Sequence, residues 1–201
     1  MVEFLVGTGL ATAAGLNAWM PLLVLGLADR LLPAVTVPEP WAWLSSDIAL
    51  WIMGALLVVE IVADKIPAVD SVNDAIQTFI RPASGGIVFG AGASAETLRV
   101  EDPAAFFTET AWAPIVTGIV IALAVHGVKA TVRPAANVAT GGLAAPVLSA
   151  VEDVSSFVLA VLAIVLPVLA VALIVAAAIA VAVVLRRRRR RRSGQRARSA
   201  A

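Results

Sequence analysis

The sequence predicts an all-α fold, namely a polytopic membrane helix bundle of about six membrane segments arranged as three helical hairpins, with one interfacial amphipathic helix. Of the 201 residues, 60% are hydrophobic and 14% are charged, and the mean hydropathy is +0.94. Soluble domains are about 45–50% apolar and about 25% charged. A chain of this length cannot bury so much apolar surface in a core that faces water. Long uncharged runs alternate with short polar stretches along the chain, as expected for membrane segments and their connections.

Four of the predicted membrane segments are long: 4–28, 48–63, 112–128 and 157–185. Each approaches or exceeds the roughly 20 residues that an α-helix needs to cross a bilayer. Pro21 is expected to bend the first segment, because proline removes a backbone donor. The last segment would be about 43 Å long as a straight helix, against a hydrocarbon core of about 30 Å. It must therefore tilt, kink at Pro167 or project beyond the bilayer.

Two further segments, 83–95 and 135–151, are shorter and rich in glycine and alanine. The first is too short to cross as a regular helix, so it is either a short span within a bundle or a re-entrant loop. Before it, Val72, Ile76 and Phe79 recur at helical spacing among polar residues. This pattern predicts an amphipathic helix that lies on the membrane surface.

The distribution of charge predicts the orientation. Nine of the fifteen basic residues are arginines near the carboxyl terminus, whereas all fourteen acidic residues lie before position 186. Basic residues favour the cytoplasmic side. Six crossings with both termini cytoplasmic put Lys129 and Arg133 inside, and Glu152 and Asp153 outside. If the glycine-rich segments were re-entrant, four spans would remain. Lys129 and Arg133 would then lie outside with the acidic residues, which agrees less well with the charge rule. We expect one transmembrane domain, 1–185, and a disordered cytoplasmic tail, 186–201.

The small-residue segments also suggest an internal repeat. The strings at 7–11, 83–87 and 139–143 each combine glycine with alanine, serine or threonine, and each precedes a bulkier segment. Small residues let membrane helices approach closely, and repeats of this kind occur in transporters. The alternative is that glycine and alanine simply recur in an alanine-rich chain.

Two groups of ionisable residues are candidates for a functional site. Glu60 and Asp64 are one helical turn apart after a long uncharged run, and carboxylates in that setting could share a proton or bind a cation. His126, Lys129 and Arg133 form one stripe on the third long segment. They could act as a proton relay or an anion-binding stripe. The alternatives are structural: Glu60 would pair with Lys129 or Arg133 and fix helix packing, and the stripe would fix topology.

Some uncharged polar residues could line a solute path or bond across helices, namely Asn17, Asn137 and Thr140. The arginine run Arg186, Arg187, Arg188, Arg189, Arg190, Arg191 and Arg192 is typical of a stop-transfer signal that binds anionic lipid. Nucleic-acid binding is not expected, because no folded module accompanies the run.

Enzyme, metal and cofactor functions have little to support them. The chain has no cysteine, no tyrosine and one histidine, which leaves no nucleophile–base pair or metal set. The acidic residues around Asp70 and Asp74 do not match a calcium loop. We therefore expect no cofactor, no metal and no enzymatic activity.

Several strings resemble a known family. They are 15–22 (GLNAWMPL), the polar positions of 60–74, those of 126–137 and those of 140–153. They resemble domain of unknown function family 4126 over about residues 7–167. The resemblance implies a multi-pass protein of the bacterial inner membrane and supplies no activity.

The leading functional hypothesis is a transporter or channel for a small solute or ion, with the two ionisable groups as its polar site. The alternative is a non-catalytic scaffold that presents the amphipathic helix and the basic tail to partners or anionic lipid. The lipid bilayer is the expected partner, and a homo-oligomer is possible.

Overall fold

The computed structural model describes residues 2–93 and 112–198, and every regular element in those ranges is a helix. The order is α1 (Val2–Leu16), α2 (Trp19–Leu31), a 3₁₀ helix (Glu39–Ser45), α3 (Asp47–Ala63), α4 (Pro67–Ala93), α5 (Trp112–Thr140), α6 (Ala144–Val165) and α7 (Pro167–Arg198). This confirms the all-α prediction. The acidic connector 96–109 and residues 199–201 lie outside the described ranges.

Two of these helices, α5 and α6, are long and apolar enough to cross a membrane. The 3₁₀ helix and α3 would add a third span if the 60° bend between them is counted within one segment. Helix α1 and the first part of α7 are apolar but shorter. The helices are thus compatible with a membrane protein, while six crossings remain a prediction.

Several predicted segments have different boundaries in the structure. The prediction of one helix over 4–28 is wrong, since the chain breaks between α1 and α2 at Asn17 and Ala18. Pro21 lies within the first turn of α2. Backbone N–H groups in a first turn have no partner within the helix, so the proline costs no helical hydrogen bond. The segment 157–185 is divided before Pro167, because proline disfavours the helical conformation of the residue that precedes it.

The glycine-rich segments also differ from the prediction. Residues 83–93 are the second half of α4, which is continuous with the stretch predicted as a surface helix. The segment 135–151 is not one helix, because Gly141 and Gly142 have φ of 62° and 90° and form a turn between α5 and α6. Only glycine adopts such angles readily. Of the three strings of the proposed repeat, 7–11 and 83–87 therefore lie within helices, whereas 139–143 includes the turn.

Three polar residues of α4 point into the protein. Gln77, Arg81 and Ser84 are buried, whereas Val72 and Phe79 on the opposite side are exposed. This arrangement contradicts the prediction of a surface helix with its polar face in water. An inward polar face and an outward apolar face are expected for a helix that contacts lipid.

The end of the chain is also more regular than predicted. Helix α7 continues through the arginine run to Arg198, where the sequence predicts disorder. Arginine is a good helix former, and extending an existing helix avoids the cost of a new nucleus.

Helix α1 lies at the centre, and it packs against α4, α5, α6 and α7. Glycines bring α4 and α5 into backbone contact. A Cβ added to Gly85 would lie 2.7 Å from the Gly118 carbonyl oxygen, and one added to Gly118 would overlap the Gly85 carbonyl oxygen. Arg81 is one turn before Gly85, and His126 is two turns after Gly118. The close approach therefore brings these two polar side chains together.

Candidate functional site

The break between α1 and α2 is held by the side chain of Asn17. Its Oδ1 accepts hydrogen bonds from the backbone N–H groups of Trp19 at 3.1 Å and Met20 at 3.0 Å. Asparagine is a favoured N-cap because its short side chain reaches these first amides. Asn17 is fully buried. The carbonyls that end α1 and the amides that begin α2 are therefore inside the protein and need partners there.

A carboxylate meets the amino end of α2. The Ala18 N–H lies 3.2 and 3.4 Å from the two oxygens of Glu60, which is 1% exposed. Arg81 Nη2 donates to Glu60 Oε1 at 2.9 Å. The Ser84 hydroxyl donates to the Ala18 carbonyl oxygen at 2.5 Å. A negative group at a helix amino terminus is favoured by the helix dipole.

Cations meet the carboxyl end of α1. Arg81 Nη1 lies 3.5 Å from the Gly15 carbonyl oxygen, and Lys129 Nζ lies 3.4 Å from that of Leu16. The Ser156 hydroxyl donates to the Ala13 carbonyl oxygen at 2.9 Å. Both ends of the interrupted helix thus face charges of the sign that their dipoles favour.

Asp64 lies just beyond the end of α3, where three cations surround it. Its Oδ2 is 3.2 Å from Lys129 Nζ, 3.4 Å from Arg133 Nη1 and 3.7 Å from Arg81 Nη2. Asn73 Nδ2 donates to its Oδ1 at 2.6 Å. Burial disfavours the carboxylate form, but these cations and the amide hold the pKa of Asp64 below its usual value.

Helix α6 closes the cluster with two carboxylates. Glu152 Oε2 is 2.9 Å from Lys129 Nζ and 3.8 Å from Arg133 Nη1. Asp153 accepts a hydrogen bond from Asn17 Nδ2 at 3.0 Å. The prediction that Glu152 and Asp153 lie on the opposite side of the membrane from Lys129 and Arg133 is therefore wrong. The turn at Gly141 and Gly142 reverses the chain, so α6 runs back alongside α5.

The one histidine lies beside Arg81. His126 Nδ1 is 3.2 Å from Arg81 Nη1, and its Nε2 is 3.1 Å from Thr78 Oγ1. The side chain is 3% exposed. It therefore joins α4 and α5 through polar contacts on both ring nitrogens.

We call this set of side chains the charge cluster. It consists of Asn17, Glu60, Asp64, Asp74, Arg81, His126, Lys129, Arg133, Glu152 and Asp153. Asp74 belongs to the cluster because its Oδ1 is 3.7 Å from Arg133 Nη1 and 4.0 Å from Lys129 Nζ. Six of the sequence candidates are in the cluster. The cation that pairs with Glu60 is Arg81, and not Lys129 or Arg133 as the structural alternative had it.

Two sequence candidates lie elsewhere, at the turn between α5 and α6. Thr140 is exposed, and its hydroxyl donates to the Ala136 carbonyl oxygen and accepts from the Ala144 N–H. The Asn137 carbonyl oxygen accepts from the Gly142 N–H at 2.8 Å. These contacts stabilise the turn. No described contact joins either side chain to the charge cluster.

Sequence reasoning missed Arg81, Asp74, Glu152 and Asp153 as members of the site. The sequence does contain an indication of Arg81 and Asp74. Helical spacing places them on one face of a helix together with Gln77 and Ser84. In an otherwise apolar bundle, such a face is expected to point inward. Among residues 2–93 and 112–198, no three acidic or histidine side chains are grouped to hold a metal ion.

Comparison with known proteins identifies the family. The family model described as a domain of unknown function, DUF4126, matches residues 4–187, and the chain belongs to that family. Neither the curated proteins nor the solved structures contain a match to the chain.

Proposed function

We propose that this DUF4126 protein is a non-enzymatic membrane transporter or channel for a small ion or solute, and that the charge cluster is its binding site. The observation that carries the proposal is the interrupted helix, with Glu60 at the amino end of α2 and Arg81 and Lys129 at the carboxyl end of α1. Discontinuous helices whose ends meet charged groups are typical of substrate and ion sites in transporters.

The energetic cost of the cluster supports a functional role over a purely structural one. Moving charges out of water is costly, and apolar side chains of similar size often stabilise a protein at least as well as a buried ion pair. Ionisable residues inside membrane proteins are accordingly rare and mark ion or substrate pathways. This cluster gathers ionisable groups from α3, α4, α5 and α6 and from the segment that follows α3.

The cluster is graded from a closed interior to an open edge. The side chains of Glu60 and Arg81 have no exposed surface, whereas those of Asp74 and Glu152 are 17% and 15% exposed. Lys65, which pairs with Asp153 at 3.5 Å, is more exposed still. We propose that a solute reaches the cluster at the edge formed by Asp74 and Glu152 and passes toward the helix break.

Purified protein in sealed liposomes tests this proposal. Proton, sodium, potassium, chloride and small-carboxylate fluxes would be compared with those of empty liposomes. For the solute that moves, we expect Glu60→Gln to lower the flux by about tenfold or more, equivalent to about 1.4 kcal/mol. Asp47→Asn is the matched control, because Asp47 pairs with Arg30 on the exposed surface. Its flux should equal that of the unmodified protein.

Two outcomes would contradict the proposal. One is that none of these solutes moves faster than through empty liposomes. The other is that Glu60→Gln and Asp47→Asn have the same flux as the unmodified protein, which would leave Glu60 with a packing role only.

The scaffold alternative depends on two elements, the polar face of α4 and the basic tail, and the first of them is not accessible. It requires α4 to present its polar face to partners, but Gln77, Arg81 and Ser84 are buried. The second element, binding of the arginine run to anionic lipid, is unaffected by this finding. A partner that co-purifies with the full chain and is lost on deletion of 187–201 would support the scaffold.

A further inference from the structure

Both ring nitrogens of His126 have partners, and their chemistry fixes the position of the hydrogen. Arg81 Nη1 lies 3.2 Å from Nδ1. A guanidinium group has only donors, so Nδ1 must be the acceptor in this contact. A nitrogen that accepts carries no hydrogen, and a neutral imidazole then carries its hydrogen on Nε2.

The contact on the other nitrogen agrees with this assignment. Nε2 lies 3.1 Å from Thr78 Oγ1, and the Thr78 hydroxyl in turn lies 2.9 Å from the Asp74 carbonyl oxygen, which can only accept. Thr78 therefore donates to Asp74 and accepts from His126. The chain of hydrogen bonds runs in one direction, from Arg81 through His126 and Thr78 to the Asp74 carbonyl group.

We infer that His126 is a positioning residue whose neutral imidazole orients Arg81 toward Glu60, and that it does not relay protons. With Nη1 held by His126 and by the Gly15 carbonyl oxygen, Nη2 is directed at Glu60 at 2.9 Å. This role goes beyond the proposed transport function and does not depend on it.

Among the charged groups around the ring, Arg81 is the nearest and favours the neutral form, as Lys129 does, whereas the carboxylates oppose it. Arg81 and Asp74 face it from α4, Lys129 lies one turn along α5, and Asp64 approaches from the end of α3. A second proton on Nδ1 would set an imidazolium against the Arg81 guanidinium at a distance of 3.2 Å. Arg81 would then have to leave both His126 and the Gly15 carbonyl oxygen.

Nitrogen NMR tests the assignment directly, because the chain has one histidine and its signals need no separation from others. The full-length protein, labelled with ¹⁵N-histidine in lipid, would be measured between about pH 5 and 8, where an ordinary histidine changes its charge. We expect a bare Nδ1 and a hydrogen-bearing Nε2 throughout. Hydrogens on both nitrogens, a bare Nε2, or a change of state within this range would overturn the inference.

Two variants separate positioning from proton relay. His126→Asn places an amide oxygen near the position of Nδ1 and should keep Arg81 in place, whereas His126→Gln places its amide near Nε2 and should not. We expect the flux of His126→Gln to be about tenfold or more below that of His126→Asn, the effect of losing a hydrogen bond to a charged group. A relay requires loss in both variants.

The same variants remain informative if no flux exists. Thermal unfolding in detergent should then show His126→Asn close to the unmodified protein and His126→Gln less stable. Equal destabilisation of both would overturn positioning. Absence of flux with the expected NMR result would reject the transport proposal alone.

Discussion

The two ends of α1 are held by different kinds of contact. Near its beginning, Gly7 faces the ring of Phe89 and Gly9 faces Ala163, and these contacts are apolar and close. At its other end, the Gly15 and Leu16 carbonyl oxygens face Arg81 and Lys129. Gly15 also packs closely, since a Cβ added there would lie 2.5 Å from Val125 Cβ. One helix therefore combines an end that is held by packing with an end that is held by both packing and charge.

The difference indicates how each end should respond to change. Where small residues bring backbones together, any added atom must displace a neighbour. Where charges are buried, removing one group leaves its partner without compensation. Both ends should therefore be sensitive to an increase in side-chain size, and the charged end should in addition be sensitive to the loss of a partner.

The largest effect is expected at Arg81. Replacing it by Met leaves the buried Glu60 carboxylate with the Ala18 N–H but without its cation, which should destabilise the protein by about 3–5 kcal/mol. Unfolding by denaturant in detergent would measure this change. The double variant Glu60→Gln with Arg81→Met removes both charges and should recover much of the loss. Simple addition of the two single effects would show that the pair is not coupled.

The next largest effect is expected at Gly118, where α4 and α5 touch. Gly118→Ala inserts a Cβ against the Gly85 carbonyl oxygen, and overpacking of this kind costs about 1–3 kcal/mol. The control is Gly127→Ala on the same helix, because an added Cβ there meets nothing within 4 Å. It should be neutral or slightly stabilising, since alanine favours helix. If both substitutions destabilise equally, close packing does not explain the result.

A smaller effect is expected at the cap of α2. Asn17→Ala removes the acceptor for two backbone N–H groups and the donor to Asp153, and loss of an N-cap costs about 0.5–2 kcal/mol. Ser46, which caps α3 through the Ala49 N–H, is exposed and provides the control as Ser46→Ala. Water can replace Ser46, so its loss should be the milder. A larger effect at Ser46 would contradict the role given to Asn17.

The sequence predicted the stripes of the site better than the contacts between them. Spacing alone places Glu60 and Asp64 one turn apart and aligns His126, Lys129 and Arg133, because helical periodicity is a local property. The partners of Arg81 depend on tertiary structure, since Glu60 is 21 residues away and Gly15 is 66 residues away. No local pattern specifies such distant pairs.

The break at Asn17 shows a second limit. Residues 4–28 contain no charged side chain, so hydropathy does not indicate a break. Pro21 predicts a bend at its own position, which is not where the helix is interrupted. The Ala18 N–H is satisfied by Glu60, 42 residues away, and that contact compensates for the interruption. Likewise, the sequence places Gly141 and Gly142 within a small-residue segment that was predicted to be continuous. In the structure both glycines have positive φ and form a turn. That error separated Glu152 from Lys129, which it contacts in the structure.

Thiol accessibility in membrane vesicles tests the central claim, that the helix break is part of a solute path. The chain has no native cysteine, so Ala18→Cys at the break and Ala11→Cys in the packed part of α1 can be compared directly. Both alanines are fully buried in the structure. We predict that a charged, water-soluble thiol reagent modifies Ala18→Cys and leaves Ala11→Cys unmodified. Equal protection of both until the protein is denatured would contradict the claim.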